Sequence, residues 1–189
     1  VEVKEGRISA VNANASQRAI PQLDAAGLLL VPGLIDLHAD VIEHAIRPRP
    51  GGRFPMQIAL VELDKTLASC GVTRVYHAVS VGAYEQHEMR NAKTAATIAE
   101  ALSEFRELLS VKHCFHARFE VTRAEGIPVI ERLLESGLIA LCSFMDHTPG
   151  QGQYSQVEEY REFYRSEYMS DEAIDRIEGQ LDEEAERVN

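Results

Sequence analysis

The chain has 189 residues, 45% hydrophobic and 26% charged, a balance that suits one sizeable folded domain and argues against a disordered segment. No apolar run approaches the roughly 18 residues of a membrane helix, and the N-terminus lacks a secretory-leader pattern. The net charge of −11 argues against a nucleic-acid partner, and most of it lies in residues 156–189, which hold twelve acids and four arginines. Cys70, Cys114 and Cys142 are odd in number and widely spaced, which fits reduced thiols in a cytoplasm better than a disulfide framework.

Residues 1–12 alternate around a Glu-Gly pair and predict a hairpin. Leu28 to Val31 leads through Pro32-Gly33 into a strand ending at His38. Arg47 to Pro55 is broken by prolines and glycines and is expected to be a loop. Leu60, Leu63 and Leu67 have helical spacing within residues 57–69, and Gly71 is the expected stop. Val72 to Val81 predicts a strand, and residues 88–109 a long helix with Met89, Ala92, Ala96, Ala99, Leu102, Phe105 and Leu109 on one stripe. A strand over 114–121, a short helix over 128–136 with Pro128 at its start, and a strand over 138–145 follow.

Strand and helix alternate in the manner of a parallel sheet with crossover helices, about four β/α units of an α/β protein. A complete eight-fold barrel takes roughly 250 residues, so the pattern predicts a partial (β/α)8 TIM-type barrel over residues 31–150. Residues 1–30 read as part of a small β-domain and 151–189 as an acidic helical segment. In that segment Ser170 is placed to cap a helix whose stripe is Ile174, Ile177, Leu181 and Val188.

Polar side chains gather at the predicted strand ends. His38 and Asp40 leave the first on one face, His116, Arg118 and Glu120 alternate along the third, and the fourth runs into Asp146-His147. In a β/α barrel these ends converge on one mouth. Histidine with carboxylates is a plausible partial shell for one or two divalent ions. Arg47, Arg49 and Arg53 in the Pro-rich loop are candidates for phosphate contact, against the plainer reading of a solvated loop. His116 is expected to have no direct role, His77 to fill a strand face, and His44, His87 and His113 to lie on the surface.

The string Val31-Pro-Gly-Leu-Ile-Asp-Leu-His38-Ala-Asp40 resembles the first barrel strand of the amidohydrolase superfamily. Pro48-Arg49-Pro50, Ser69-Cys-Gly71-Val-Thr73, His116-Ala-Arg118-Phe-Glu120, Met145-Asp-His-Thr-Pro-Gly-Gln151, Tyr160-Arg-Glu-Phe-Tyr164 and Tyr168 narrow the likeness. Together they resemble the branch of bacterial phosphonate (C–P lyase pathway) metabolism that hydrolyses ribose 1-methylphosphonate 5-triphosphate. The resemblance implies metal ligation by His38, Asp40, Glu120 and His147, with zinc, manganese or iron as the ion. It also implies phosphate contacts from Arg49 and Arg118 and release of pyrophosphate from a phosphorylated ribose phosphonate. It further implies a remnant of an N-terminal β-sandwich domain and a C-terminal helical excursion. The general base is expected from later barrel strands that these residues do not include. Val41 and Gly152 depart from the family pattern.

Two other readings stand beside this one. The same fold serves C–N hydrolases acting on cyclic amides. Alternatively the chain is a non-catalytic piece, with neither nucleic acid nor membrane as partner, that self-associates through exposed sheet edges.

Overall fold

The structure is a computed structural model; it describes residues 1–11, 21–49, 51–82, 89–147 and 156–166, together with 171–172, 174–176 and 179. It divides into two compact units, Val1–Pro32 and Gly33–Asn189. The first holds the expected hairpin. Strand β1 (Glu2–Lys4) pairs antiparallel with β2 (Arg7–Ala10). The turn places Glu5 and Gly6 both at positive φ, 53° and 73°, the two-residue geometry whose twist matches paired strands. Leu28, Leu29, Leu30 and Val31 are exposed and lie outside regular structure.

The second unit is built on four strands: β3 (Leu34–Ala39), β4 (Val72–Val81), β5 (Lys112–Glu120) and β6 (Ile139–Met145). They form one sheet in chain order, and every pairing is parallel. The crossovers are helical: α1 (Val41–Ile46) and α2 (Met56–Ser69) after β3, α3 (Ala92–Glu104) after β4, and α4 (Ile127–Glu135) after β5. This is the mixed α/β class and parallel order read from the sequence. Helix α5 (Val157–Ser166) follows β6.

Local chemistry sets several boundaries. Gly71, at φ 77°, lets the chain leave α2 and enter β4 at once. The Asn91 side chain accepts the Thr94 amide at 2.8 Å and starts α3 at Ala92, later than the expected helix. The stripe then breaks at Phe105 and passes into a 3-10 turn, Arg106–Leu108. One element has no counterpart in the sequence reading: helix α1, only six residues long, buries Ile42 and Ile46. Helix α5 falls inside residues 151–189, the stretch read as an acidic helical segment, although the sequence pattern sets no bounds for it. Residue Ile174 is fully buried, whereas Ser170, Ile177, Leu181 and Val188 lie outside the described residues.

The core lies between the sheet and its helices. Ile42 and Ile46 of α1, Leu60 and Leu63 of α2, Ile98 and Leu102 of α3 and Leu133 of α4 pack on Val79, Val81, Phe115 and Ala117. At the start of β3, Gly33 fits only because it has no side chain: a Cβ there would collide with the Thr73 side chain, whose hydroxyl donates to the Leu34 carbonyl at 3.2 Å. Gly33→Ala is therefore expected to pry β3 from β4 and to lower unfolding stability by about 1–3 kcal/mol, read by urea denaturation.

The outer strands are apolar and open. Leu34, Ile35 and Leu37 on β3 and Phe144 on β6 are all more than half exposed. Among the described residues neither edge is paired.

Candidate functional site

Register sorts the strand side chains onto two faces. Ala39, His77 and Phe115 align across β3, β4 and β5 on the face that the helices cover. The neighbouring positions therefore share the opposite face: His38 and Asp40, Ala78 and Ser80, His116, Arg118 and Glu120, and Ser143. All chemistry-bearing residues read from strands thus sit on one face, toward the C-terminal ends.

Glu120 closes β5 and His147 lies just beyond β6, so the parallel pairing of Glu120 with Met145 brings them together. His147 Nδ1 is 2.5 Å from Glu120 Oε2, and the His147 backbone amide donates to Oε1 at 3.0 Å. The Thr122 hydroxyl lies 3.4 Å from the same oxygen. Both side chains are largely buried, with Glu120 at 3% exposure and His147 at 17%. A carboxylate held this way is fixed in orientation as well as position.

The other pair is more open. His38 Nε2 is 3.7 Å from Asp40 Oδ1, and both side chains are more than half exposed. The ladder between β3 and β4 is interrupted between Asp36 and Ala39, where the Asp36 carboxylate accepts the His38 amide at 3.0 Å. Arg118 reaches across β4 to place Nη1 3.6 Å from Asp40 Oδ1. The His116 ring meets His38 edge-on, with centroids 5.5 Å apart, and its Nε2 lies 2.9 Å from the Ser143 hydroxyl. Burial, with His38 and Arg118 close by, holds His116 below the usual imidazole range.

The four expected metal ligands are thus present as two pairs. Among the described residues no group of three or more His, Cys, Asp or Glu is gathered closely enough to hold an ion. Arg118 is at the site. Arg49 and Arg53 are exposed on the loop after α1, where Arg49 bridges to Gly52, and no described hydrogen bond ties either to the four ligand candidates. Arg47 caps α1 through its amide to the Glu43 carbonyl at 2.9 Å. Thr148 to Gly152 lie outside the described residues.

His113 corrects the surface reading: its side chain is 1% exposed. It stands on the helix-covered face between His77 and Asp64 of α2. His77 Nε2 is 2.8 Å from His113 Nδ1, and His113 Nε2 is 3.1 Å from Asp64 Oδ1. Asp64 also accepts the Ser110 and Val111 amides at 3.0 and 2.8 Å. Burial alone would raise the Asp64 carboxyl, but these amides and His113 outweigh it and lower its pKa. An ionised carboxylate can only accept, so His113 carries its proton on Nε2 and receives the His77 proton on Nδ1. His77 is completely buried, its Nδ1 has no partner among the described residues, and burial, reinforced by His113, pushes its pKa down to about 3. One signal in the sequence pointed here: Asp64 sits within the Leu60-Leu63-Leu67 stripe, the face that must be buried.

All three cysteines are free, and no helix among the described residues is long and apolar enough to cross a membrane. No protein-family model matches the chain, and no solved structure matches it. Among curated proteins it is similar to the alpha-D-ribose 1-methylphosphonate 5-triphosphate diphosphatase of Escherichia coli (strain K12), and it spans about half (46%) of that relative's length. The resemblance carried by the motifs thus extends over 92% of this chain, at 31% identity across 175 residues.

Proposed function

We propose that this chain carries part of the active site of a metal-dependent phosphohydrolase of phosphonate catabolism. Its four parallel strands would be about half of a (β/α)8 barrel, its hairpin a remnant of a β-sandwich, and α5 the start of a helical excursion. The reaction would be hydrolysis of ribose 1-methylphosphonate 5-triphosphate at the phosphorus nearest the ribose. Water would add there, the bond to the next bridging oxygen would break, and pyrophosphate would leave.

The observation that carries this reading is the Glu120–His147 pair, set at adjacent strand ends with donor atoms 2.5 Å apart, on the face that also bears His38 and Asp40. Two imidazoles and two carboxylates suit zinc, manganese or iron in donor chemistry. When bound, one or two such ions supply Lewis acidity that brings water toward ionisation near neutral pH. The chain's own residues do the rest. Thr122 and the His147 amide hold the Glu120 carboxylate in one orientation. Arg118 presents a guanidinium to phosphate oxygens, with Arg49 and Arg53 on the loop after α1, and Arg47 at its start, as further candidates. Neutralising and positioning the phosphates is the main catalytic task in such transfers. The open, apolar edges of β3 and β6 would be covered by further barrel strands or by self-association.

Calorimetric titration with Zn2+ or Mn2+ tests the site. Glu120→Gln and His147→Asn are each expected to weaken binding by at least about 10–100-fold. Unchanged affinity in both would overturn the ligand assignment. With metal saturating, the ribose triphosphate phosphonate should bind and Arg118→Gln should bind it about 10-fold or more weakly. Binding of a cyclic amide instead would favour the C–N hydrolase.

A further inference from the structure

Neighbouring strands of a sheet lie about 4.8 Å apart, so groups on β3 and β5 are separated by roughly twice that, with β4 between them. His38 and His116 nevertheless meet at 5.5 Å between ring centroids, and Asp40 and Arg118 at 3.6 Å. The side chains that β4 puts on this face at the same register are Ala78, paired with His116, and Ser80, paired with Arg118. They are the two smallest on that stretch of the strand, and both are covered, at 1% and 6% exposure. A trough therefore runs along β4, and the larger groups of β3 and β5 close over it.

The His116 ring is the best-held group in that closure. It is 4% exposed, and its Nε2 lies 2.9 Å from the Ser143 hydroxyl of β6. His38, in contrast, is half-exposed and stands where the β3 ladder is interrupted. Among the described residues its ring meets Asp40 at 3.7 Å and the His116 ring in a T-shaped contact.

We infer that His116 is a positioning residue that fixes the orientation of the His38 imidazole, that Ser143 holds His116 in place, and that Ala78 is the gap that lets the two rings meet. A branched side chain at position 78 would stand between the rings. A side chain without a hydroxyl at 143 would release His116. The value of this arrangement to the proposed ion rests on the reading of His38 as a ligand, but the arrangement itself does not. A ring held in one orientation gives up less rotamer freedom when it binds an ion.

The test uses the whole 189-residue chain and two readouts. The first is metal-free: NMR of the His38 ring, with its cross-relaxation to His116. Ser143→Ala and Ala78→Val should each abolish the His38–His116 cross-peak and average the His38 ring signals, whereas Ser143→Thr, which keeps the hydroxyl, should preserve them. His38 signals unchanged in Ser143→Ala and Ala78→Val, with thermal unfolding as in the parent, would overturn the inference. Should either variant unfold, His116→Phe, which keeps an aromatic ring but loses the Ser143 bond, is read by the His38 ring signals alone: averaging supports the inference, and parent-like signals overturn it. The second readout is Zn2+ affinity, expected to fall about 10–100-fold in Ser143→Ala and Ala78→Val and to recover in Ser143→Thr. His38→Asn separates the two ideas: wild-type Zn2+ affinity in that variant would remove His38 as a ligand, while the cross-peak result still decides the role of His116.

Discussion

Asp64→Ala is expected to cost about 3–5 kcal/mol of unfolding free energy, as much as truncating a large core side chain. The carboxylate accepts from the Ser110 and Val111 amides and from His113 Nε2, at 2.8 to 3.1 Å. Truncation leaves all three donors without their acceptor in a place where Asp64 is 5% exposed and water has little access. It also detaches α2 from the turn that begins β5, two elements linked here by side-chain chemistry across 46 to 49 residues of sequence. Asp64→Asn keeps one accepting oxygen but turns an amide toward donors, so its loss should be intermediate. Urea unfolding of the two variants checks the order; equal stability of Asp64→Ala and the parent would show that the network contributes nothing net.

Acidification should unfold the protein earlier than its surface charge alone would suggest. His77 titrates at about 3 in the folded chain against 6.5 when solvated, because burial and His113 oppose its charge. The unfolded state therefore binds more protons throughout the window between those values, and stability falls as pH drops from about 6.5 toward 3. At 1.36 kcal/mol for each pH unit of that difference, the full loss is of the order of 4–5 kcal/mol. The depressed pKa values of His113 and of Asp64 act with the same sign. Unfolding free energy measured from pH 8 to pH 4 should decline in the parent and decline less steeply in His77→Leu. Identical slopes would mean that His77 is not the group responsible.

The sequence made the sheet legible and the helix-side network invisible, for a common physical reason. Strand β4 could be read to the residue, because a run of β-branched and aromatic side chains ending in glycines leaves little choice of conformation. The ends of β5 and α4 came within two residues for similar reasons. Helix α1 escaped because six residues between a His-x-Asp strand end and a Pro-rich loop are too few to display a period; only Ile42 and Ile46, four apart, betray it. At the site, alternation alone put His116, Arg118 and Glu120 on one face. That Glu120 reaches His147 required knowing that β5 and β6 are neighbours in parallel register. The Asp64–His113–His77 chain joins three elements; apart from the place of Asp64 on the buried stripe of α2, no local pattern encodes its contacts, which is why His113 read as a surface residue.

The strand order carries a consequence for how the molecule is made. Because β3, β4, β5 and β6 lie side by side in the order in which they are synthesised, each new β/α unit leaving the ribosome meets the edge of the strand before it. Every step closes a loop of one unit, so the entropy of bringing distant segments together is divided into small instalments. Folding can then proceed like a zip fastener, from the His-x-Asp strand onward, with Glu120 and His147 the last of the four ligand candidates to meet. The same directionality makes the β6 edge the last to form, and among the described residues it keeps its unpaired amides and carbonyls, the kind of edge on which identical chains in a crowded suspension add to one another.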